Sequence, residues 1–274
     1  MISRPKSSAT LALGFGESKL PYLFAGPLEP ACRSIARHGF DAVELLVPRP
    51  DFLSAAKLHT CLDGHSLQLS AIGTGGAWIA GKLHLCSPDP AIRRAAVDFV
   101  QGIIDLAARF QATVILGLVT GLLEPGVTYD EALDWLVPGL RQLAHHAAER
   151  GVGLVIEPLN RYESNLINRV DDGLNLLARV GEENIGLLAD LFHMNIEEPS
   201  LPEAIRRADG RIRHVHFSDS NRRAPGMGHT DFGSVVQALR ETGYSGYISS
   251  EVFPQPDAET AAAAAHAAYQ VWFR

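Results

Sequence analysis

The chain has 274 residues, 46% of them hydrophobic and 20% charged, which is ordinary for a globular protein and outside the range of disordered ones. Its 24 Lys and Arg against 31 Asp and Glu leave a net charge of −7, without the basic footprint that backbone-driven nucleic-acid binding needs. Cys32, Cys61 and Cys86 show no metal-type spacing and cannot all pair, and no apolar stretch reaches the roughly 18 residues of a membrane span. A cytoplasmic location is expected, with neither nucleic acid nor membrane as a partner.

The opening MISRPKSSATLALGFG places basic residues before a short apolar run, as a signal peptide does. The run LALGFG is too short for that role, is followed by Glu17 and Lys19, and carries no cleavage pattern of small residues. It reads instead as a first strand, Leu11–Gly16. Further apolar runs follow at Ala42–Val47, Leu67–Gly73, Ala112–Val119, Gly153–Leu159, Ile185–Leu191, Ile212–Phe217 and Tyr247–Val252, giving eight strand candidates.

Helical patterns lie between them. Val97, Val100, Ile104 and Ala107 make one apolar stripe. Leu133, Leu136, Leu140, Leu143 and Ala147 make another within Asp130–Arg150, with a capping box at Thr128 and Glu131 and a stop at Gly151. Leu174, Leu177 and Val180 make a third, ending at Gly181, and the Ala-rich Thr260–Gln270 is helical by propensity. Eight strands alternating with helices, with no linker or repeat, predict one (β/α)₈ TIM barrel over 1–274. The glycine fingerprint of a dinucleotide-binding open sheet is missing after the first strand.

Strand alternation sorts the side chains. Leu154 and Ile156 share one face of the fifth strand and Glu157 takes the other. His214 and His216 oppose Val215 and Phe217, Ser249 and Glu251 oppose Ile248 and Val252, and Glu44 opposes Val43 and Leu45. Ionisable groups aimed into a barrel at its C-terminal mouth need a compensating partner. A divalent cation held by Glu157, Asp190, His216 and Glu251 supplies one for all four. Three carboxylates and one imidazole suit Mn²⁺ or Mg²⁺, with Co²⁺ and Zn²⁺ as alternatives. Glu44 reads equally as a hydrogen-bonded strand-end group or a substrate contact, His214, one layer deeper than His216, as a satisfied core histidine or a support behind the ligands rather than a ligand, and His145 and His146 as surface residues.

Glu157-Pro158-Leu159-Asn160-Arg161-Tyr162-Glu163 resembles the E-x-x-N-R-[FY]-E signature of the ketose 3-epimerases, the D-tagatose/D-psicose 3-epimerase group of the xylose-isomerase-like superfamily. Asp190-Leu191-Phe192-His193 resembles the group's D-x-x-H element. His214-Val215-His216-Phe217-Ser218-Asp219-Ser220-Asn221-Arg222 resembles its H-x-H-x-x-[ED]-x-N-R segment, and Glu251 matches the glutamate ending the last strand. The motifs lie in the C-terminal half.

The resemblance implies the same four metal ligands, with Glu157 and Glu251 doubling as the acid/base pair. It also implies that Glu163, His193 and Arg222 orient the sugar's carbonyl end, and that the protein is a homodimer or homotetramer. Asp219 departs from the glutamate usual in the group. Trp78, after the third strand, reads either as a sugar-stacking lid or as a half-buried loop aromatic.

The activity expected is metal-dependent epimerisation of a ketose at C3, through an enediolate, by proton transfer between two carboxylates. An aldose–ketose isomerase of the hydroxypyruvate-isomerase type and a sugar or cyclitol dehydratase are the alternatives on the same ligands. A DNA-repair endonuclease needs more His ligands and a basic groove.

Overall fold

The computed structural model describes residues 4–15 and 20–274. Eight parallel strands form its core: β1 (Lys6–Ala12), β2 (Ala42–Leu46), β3 (Gln68–Gly73), β4 (Thr113–Leu116), β5 (Leu154–Ile156), β6 (Ile185–Asp190), β7 (Ile212–His216) and β8 (Tyr247–Ser250). Each pairs with the next, and β8 returns to β1 through Lys6↔Tyr247 to Ala9↔Ser250, so the sheet closes. A two-residue strand, Phe24–Ala25, adds to β1.

The first strand lies earlier than the apolar run predicts. Ser7, Ser8 and Thr10 are fully buried within it because each hydroxyl has a partner: Asp41, Ser70 and the Ser250 carbonyl, respectively. Gly14, at φ +80°, lies beyond its end. Gly16, Glu17 and Lys19, and the first three residues of the signal-like segment, lie outside the described residues.

The helices follow from their stripes. In the helix Pro90–Ala108, Val97, Val100, Ile104 and Ala107 are buried against the barrel. In the helix Tyr129–Ala148, Leu133, Leu136, Leu140, Leu143 and Ala147 are buried, and Thr128 with Glu131 forms both halves of a capping box. The helix Val170–Val180 stops at Gly181, at φ +75°. The Ala-rich helix Ala258–Phe273 buries Ala261, Ala262 and Ala265, small side chains that let its axis approach the strands.

Inside the barrel, Ala71, Ile115, Val155 and Leu188 from β3 to β6 pack together, apart from the larger core between strands and helices. This layer floors the C-terminal mouth. Two register shifts flank it: Ser70 is passed over opposite Val43 and Glu44, and Arg213 is passed over opposite Leu187 and Leu188. Bulges of this kind re-aim side chains beside functional sites. Here they lie next to Glu44 and His214, the two buried groups that meet across the barrel.

Candidate metal centre and active site

Glu157 follows the last residue of β5, Asp190 ends β6, His216 ends β7 and Glu251 follows β8. All four are buried, and their ligand atoms lie within 4.8 Å of one another. His216 Nδ1 stands 3.2 Å from Asp190 Oδ2, 3.3 Å from Glu157 Oε1 and 3.5 Å from Glu251 Oε2. Gly117, on the loop after β4, makes room for this arrangement, since a Cβ there would come within 2.8 Å of Glu157 Oε2.

The electrostatics separate the carboxylates. Burial pushes the Glu157 pKa up, only partly offset by His216. Asp190 is just as buried, yet His193, His216 and Arg222 hold it far below the usual carboxylate range. Asp190 also caps the following helix (Leu191–Glu197), accepting from Phe192 N at 2.8 Å and His193 N at 3.4 Å. Of these two, Glu157 therefore has the higher proton affinity. Burial alone would lower the His216 pKa. The surrounding Glu44, Glu251, Asp190 and Glu157 instead raise it well above its ordinary value.

Beside this cluster stand the other three residues expected from sequence. Arg222 sits in the loop after β7 at φ +58°. Its guanidinium donates to Glu251 Oε2 at 2.5 Å and Glu163 Oε1 at 3.2 Å, and lies 4.8 Å above the Phe192 ring. Burial works against its charge, but Glu251, Asp190 and Glu163 outweigh it. His193 projects from the helix that Asp190 caps. Asn160 N–H and Nδ2–H both donate to His193 Nδ1, at 3.3 and 2.7 Å, which leaves the proton on Nε2, the nitrogen 3.7 Å from Asp190 Oδ2.

Two residues acquire definite roles only in three dimensions. Asn160 fixes the His193 tautomer and also donates to Glu163 Oε1 at 3.1 Å. Glu44 lies under the cluster, 2% exposed, accepting from His214 Nε2 at 2.7 Å and His216 Nε2 at 3.0 Å. Glu44 thus fixes a proton on His216 Nε2, so that with a cation in the cluster Nδ1, the atom that faces the carboxylates, would lose its proton and supply the lone pair. His214 is thus a satisfied core histidine, and Glu44 is its partner and that of His216.

Asp219 has a separate task. Its carboxylate accepts from the backbone N–H groups of Ser220, Gly226, Gly228 and Thr230 at 2.7–3.1 Å, folding the loop that carries Arg222. These bonds hold its pKa down against burial.

An open cleft above the cluster has Tyr22, Leu46, Ile79, Ile115 and Leu118 among its walls. Trp78 does not line it. That ring packs edge-on to His84 and under the Lys82 ammonium, while the neighbouring Ile79 faces the cleft. His145 is exposed and pairs with Glu182, and His146 pairs with Asp105.

Fold and cleft together define a (β/α)₈ barrel with a buried carboxylate–imidazole cluster at its C-terminal mouth. Residues 32–271 match the model of the xylose isomerase-like TIM barrel family, and the chain belongs to that family. Over 226 residues it is 32% identical to the D-psicose 3-epimerase of Ruminiclostridium cellulolyticum, covering 80% of this chain and 76% of that one. Over 225 residues it is 29% identical to the L-ribulose 3-epimerase of a Methylomonas species, covering 81% and 77%. A solved structure of an L-ribulose 3-epimerase superposes with a TM-score of 0.84 at 26% identity, covering 98% of this chain and 94% of that one. These relatives are carbohydrate epimerases.

Proposed function

We propose that the protein is a divalent-metal-dependent ketose 3-epimerase acting on a free sugar in the cytosol, as a homodimer or homotetramer. The observation that carries this reading is the convergence of Glu157, Asp190, His216 and Glu251 from four successive strands, with Arg222, His193 and Glu163 alongside. Similarity to enzymes named as 3-epimerases supports the choice of reaction.

The residues present fit a cation. Glu157 Oε1 is buried with no hydrogen-bond partner and is aimed at the cluster, and three carboxylates crowd one imidazole. Glu157, Asp190, His216 and Glu251 would hold the ion. A set of three carboxylate oxygens and one imidazole nitrogen favours Mn²⁺, with Mg²⁺, Co²⁺ or Zn²⁺ as substitutes. When bound, it supplies Lewis-acid stabilisation of negative charge on the sugar's oxygens.

The chain's own groups then do the following. Arg222 and the Nε2–H of His193 donate to oxygens at the carbonyl end, and Glu163 accepts from a hydroxyl there, fixing which face of C3 meets which glutamate. Glu157, whose proton affinity burial raises, and Glu251, from the other side of the cleft, each exchange a proton with C3. Removal by one leaves an enediolate, and return by the other to the opposite face inverts the centre. Leu46, Ile115 and Leu118 make part of the cleft wall apolar.

Glu157→Gln and Glu251→Gln test these assignments. Either variant is expected to abolish turnover while sugar binding remains detectable by calorimetry. Near wild-type turnover in either would remove that residue from the acid/base pair.

A further inference from the structure

A second group of metal-ligating side chains lies on the outer helical layer, away from the barrel mouth. The helix Leu28–Arg37 carries Glu29, and the helix Ala55–Gly64 carries Cys61, with His65 as the residue that caps its end. Cys61 and His65 are four apart, so one face of the second helix presents both to the first. Cys61 Sγ lies 3.4 Å from Glu29 Oε2, and His65 Nε2 lies 3.0 Å from Glu29 Oε1. The three ligand atoms fall within 4.8 Å of one another.

We propose that Glu29, Cys61 and His65 form a second, non-catalytic metal site that binds a borderline-soft divalent cation of the Zn²⁺ type and ties the two helices together. The chemistry of the donors argues for this ion class. A thiolate, an imidazole and a carboxylate make a mixed sulfur, nitrogen and oxygen set that favours Zn²⁺ or Co²⁺ over Mn²⁺ or Mg²⁺. The catalytic cluster has no sulfur, so the two sites differ in kind.

The dimensions agree as well. Around Zn²⁺ with bonds of 2.0–2.3 Å, the edges of a tetrahedron are roughly 3.3–3.5 Å long. The separations of 3.4 Å, to Glu29 Oε2, and 3.0 Å, to Glu29 Oε1, lie near such edges, and with one ligand atom from each residue the remaining separation is bounded at 4.8 Å, so side-chain rotation about a single Glu29 oxygen closes the set. Cys61 is buried and the His65 side chain is 18% exposed, whereas the Glu29 side chain is 54% exposed, leaving an open side for the ion to enter and for water to complete the coordination. Binding displaces the Cys61 thiol proton to solvent and frees Arg33, which otherwise donates to Glu29 Oε1 at 3.1 Å. Affinity therefore rises with pH.

The test uses the full chain loaded with Mn²⁺ and titrated with Co²⁺ under reducing, anaerobic conditions. The expected result is a near-ultraviolet thiolate-to-cobalt charge-transfer band that saturates at one ion per chain and is bleached by Zn²⁺. Cys61→Ser abolishes the band and His65→Ala weakens Co²⁺ binding at least tenfold, while turnover of Mn²⁺-loaded protein stays within twofold of wild type in both. A wild-type chain without the band, or a band that survives in Cys61→Ser, overturns the proposal. Because the readout is a sulfur-specific band rather than activity, its failure leaves the epimerase reading untouched, and the converse holds.

Discussion

Replacing Glu44 by Gln tests how the site is held rather than what it contains. In the wild-type protein the Glu44 carboxylate accepts from two imidazoles, His214 and His216, whose attraction outweighs the penalty of burial and keeps its pKa far below the usual range. A Gln of the same shape offers one acceptor and one donor, so one imidazole must give up its Nε2 proton. If His216 does, the proton moves to Nδ1, the nitrogen that faces Glu157, Asp190 and Glu251. A hydrogen bond to a charged group contributes about 1.5–3 kcal/mol, and loss of a carboxylate behind a metal-binding histidine typically costs about 10–100-fold in metal affinity.

The two ranges overlap, since tenfold corresponds to roughly 1.4 kcal/mol. Glu44→Gln is therefore expected to raise the Kd for Mn²⁺ by about 10–100-fold, with kcat partly restored at saturating Mn²⁺. Free Mn²⁺ measured by electron paramagnetic resonance gives the Kd directly. A Kd within twofold of wild type would refute the reasoning and reduce Glu44 to a partner of the core histidine His214.

Arg222→Lys keeps the charge but not the fork that bridges Glu163 and Glu251, so KM for the sugar is expected to rise at least about tenfold in steady-state assays, with metal affinity little changed. Asn160→Ala removes one of the two donors to His193 Nδ1 and the bond to Glu163; kcat/KM should fall by about 10-fold or more, reflecting the roughly 1–3 kcal/mol at stake when a buried partner is lost. Glu259, held down to about 2 from 4.5 by Ser34, His38 and Arg37, joins the last helix to the first. Its folded pKa is depressed, so its contribution is present above pH 4.5 and fades as pH falls towards 2. Being half exposed and screened, the contact is small: Glu259→Gln should lower Tm by about 1–2 °C at pH 7, by calorimetry, with the difference shrinking below pH 4.5.

The convergence of Glu157, Asp190, His216 and Glu251 was legible because each proposed ligand sits at or just beyond a strand end, where alternation points it inward. That His214 is a satisfied core histidine was legible too, but its pairing with Glu44 was not, since the two are 170 residues apart and only barrel closure brings them to 2.7 Å. The first strand was misplaced because buried hydroxyls with partners look polar in sequence: Ser7, Ser8 and Thr10 read as a flank rather than a core. Asn160 lay inside a recognised motif, but its hold on His193 depends on the helix that Asp190 caps. Trp78 and Ile79 differ by one position on a short helix, and a sequence gives no phase for so few residues.

The most direct measurement follows the proton. Mn²⁺-loaded protein incubated with free ketohexoses and ketopentoses in deuterated water, with label located by NMR, is expected to place deuterium at C3 and form the 3-epimer. Label confined to C1 or C2 would contradict the account and make the protein an aldose–ketose isomerase. Loss of water to an ultraviolet-absorbing product would contradict it in favour of a dehydratase.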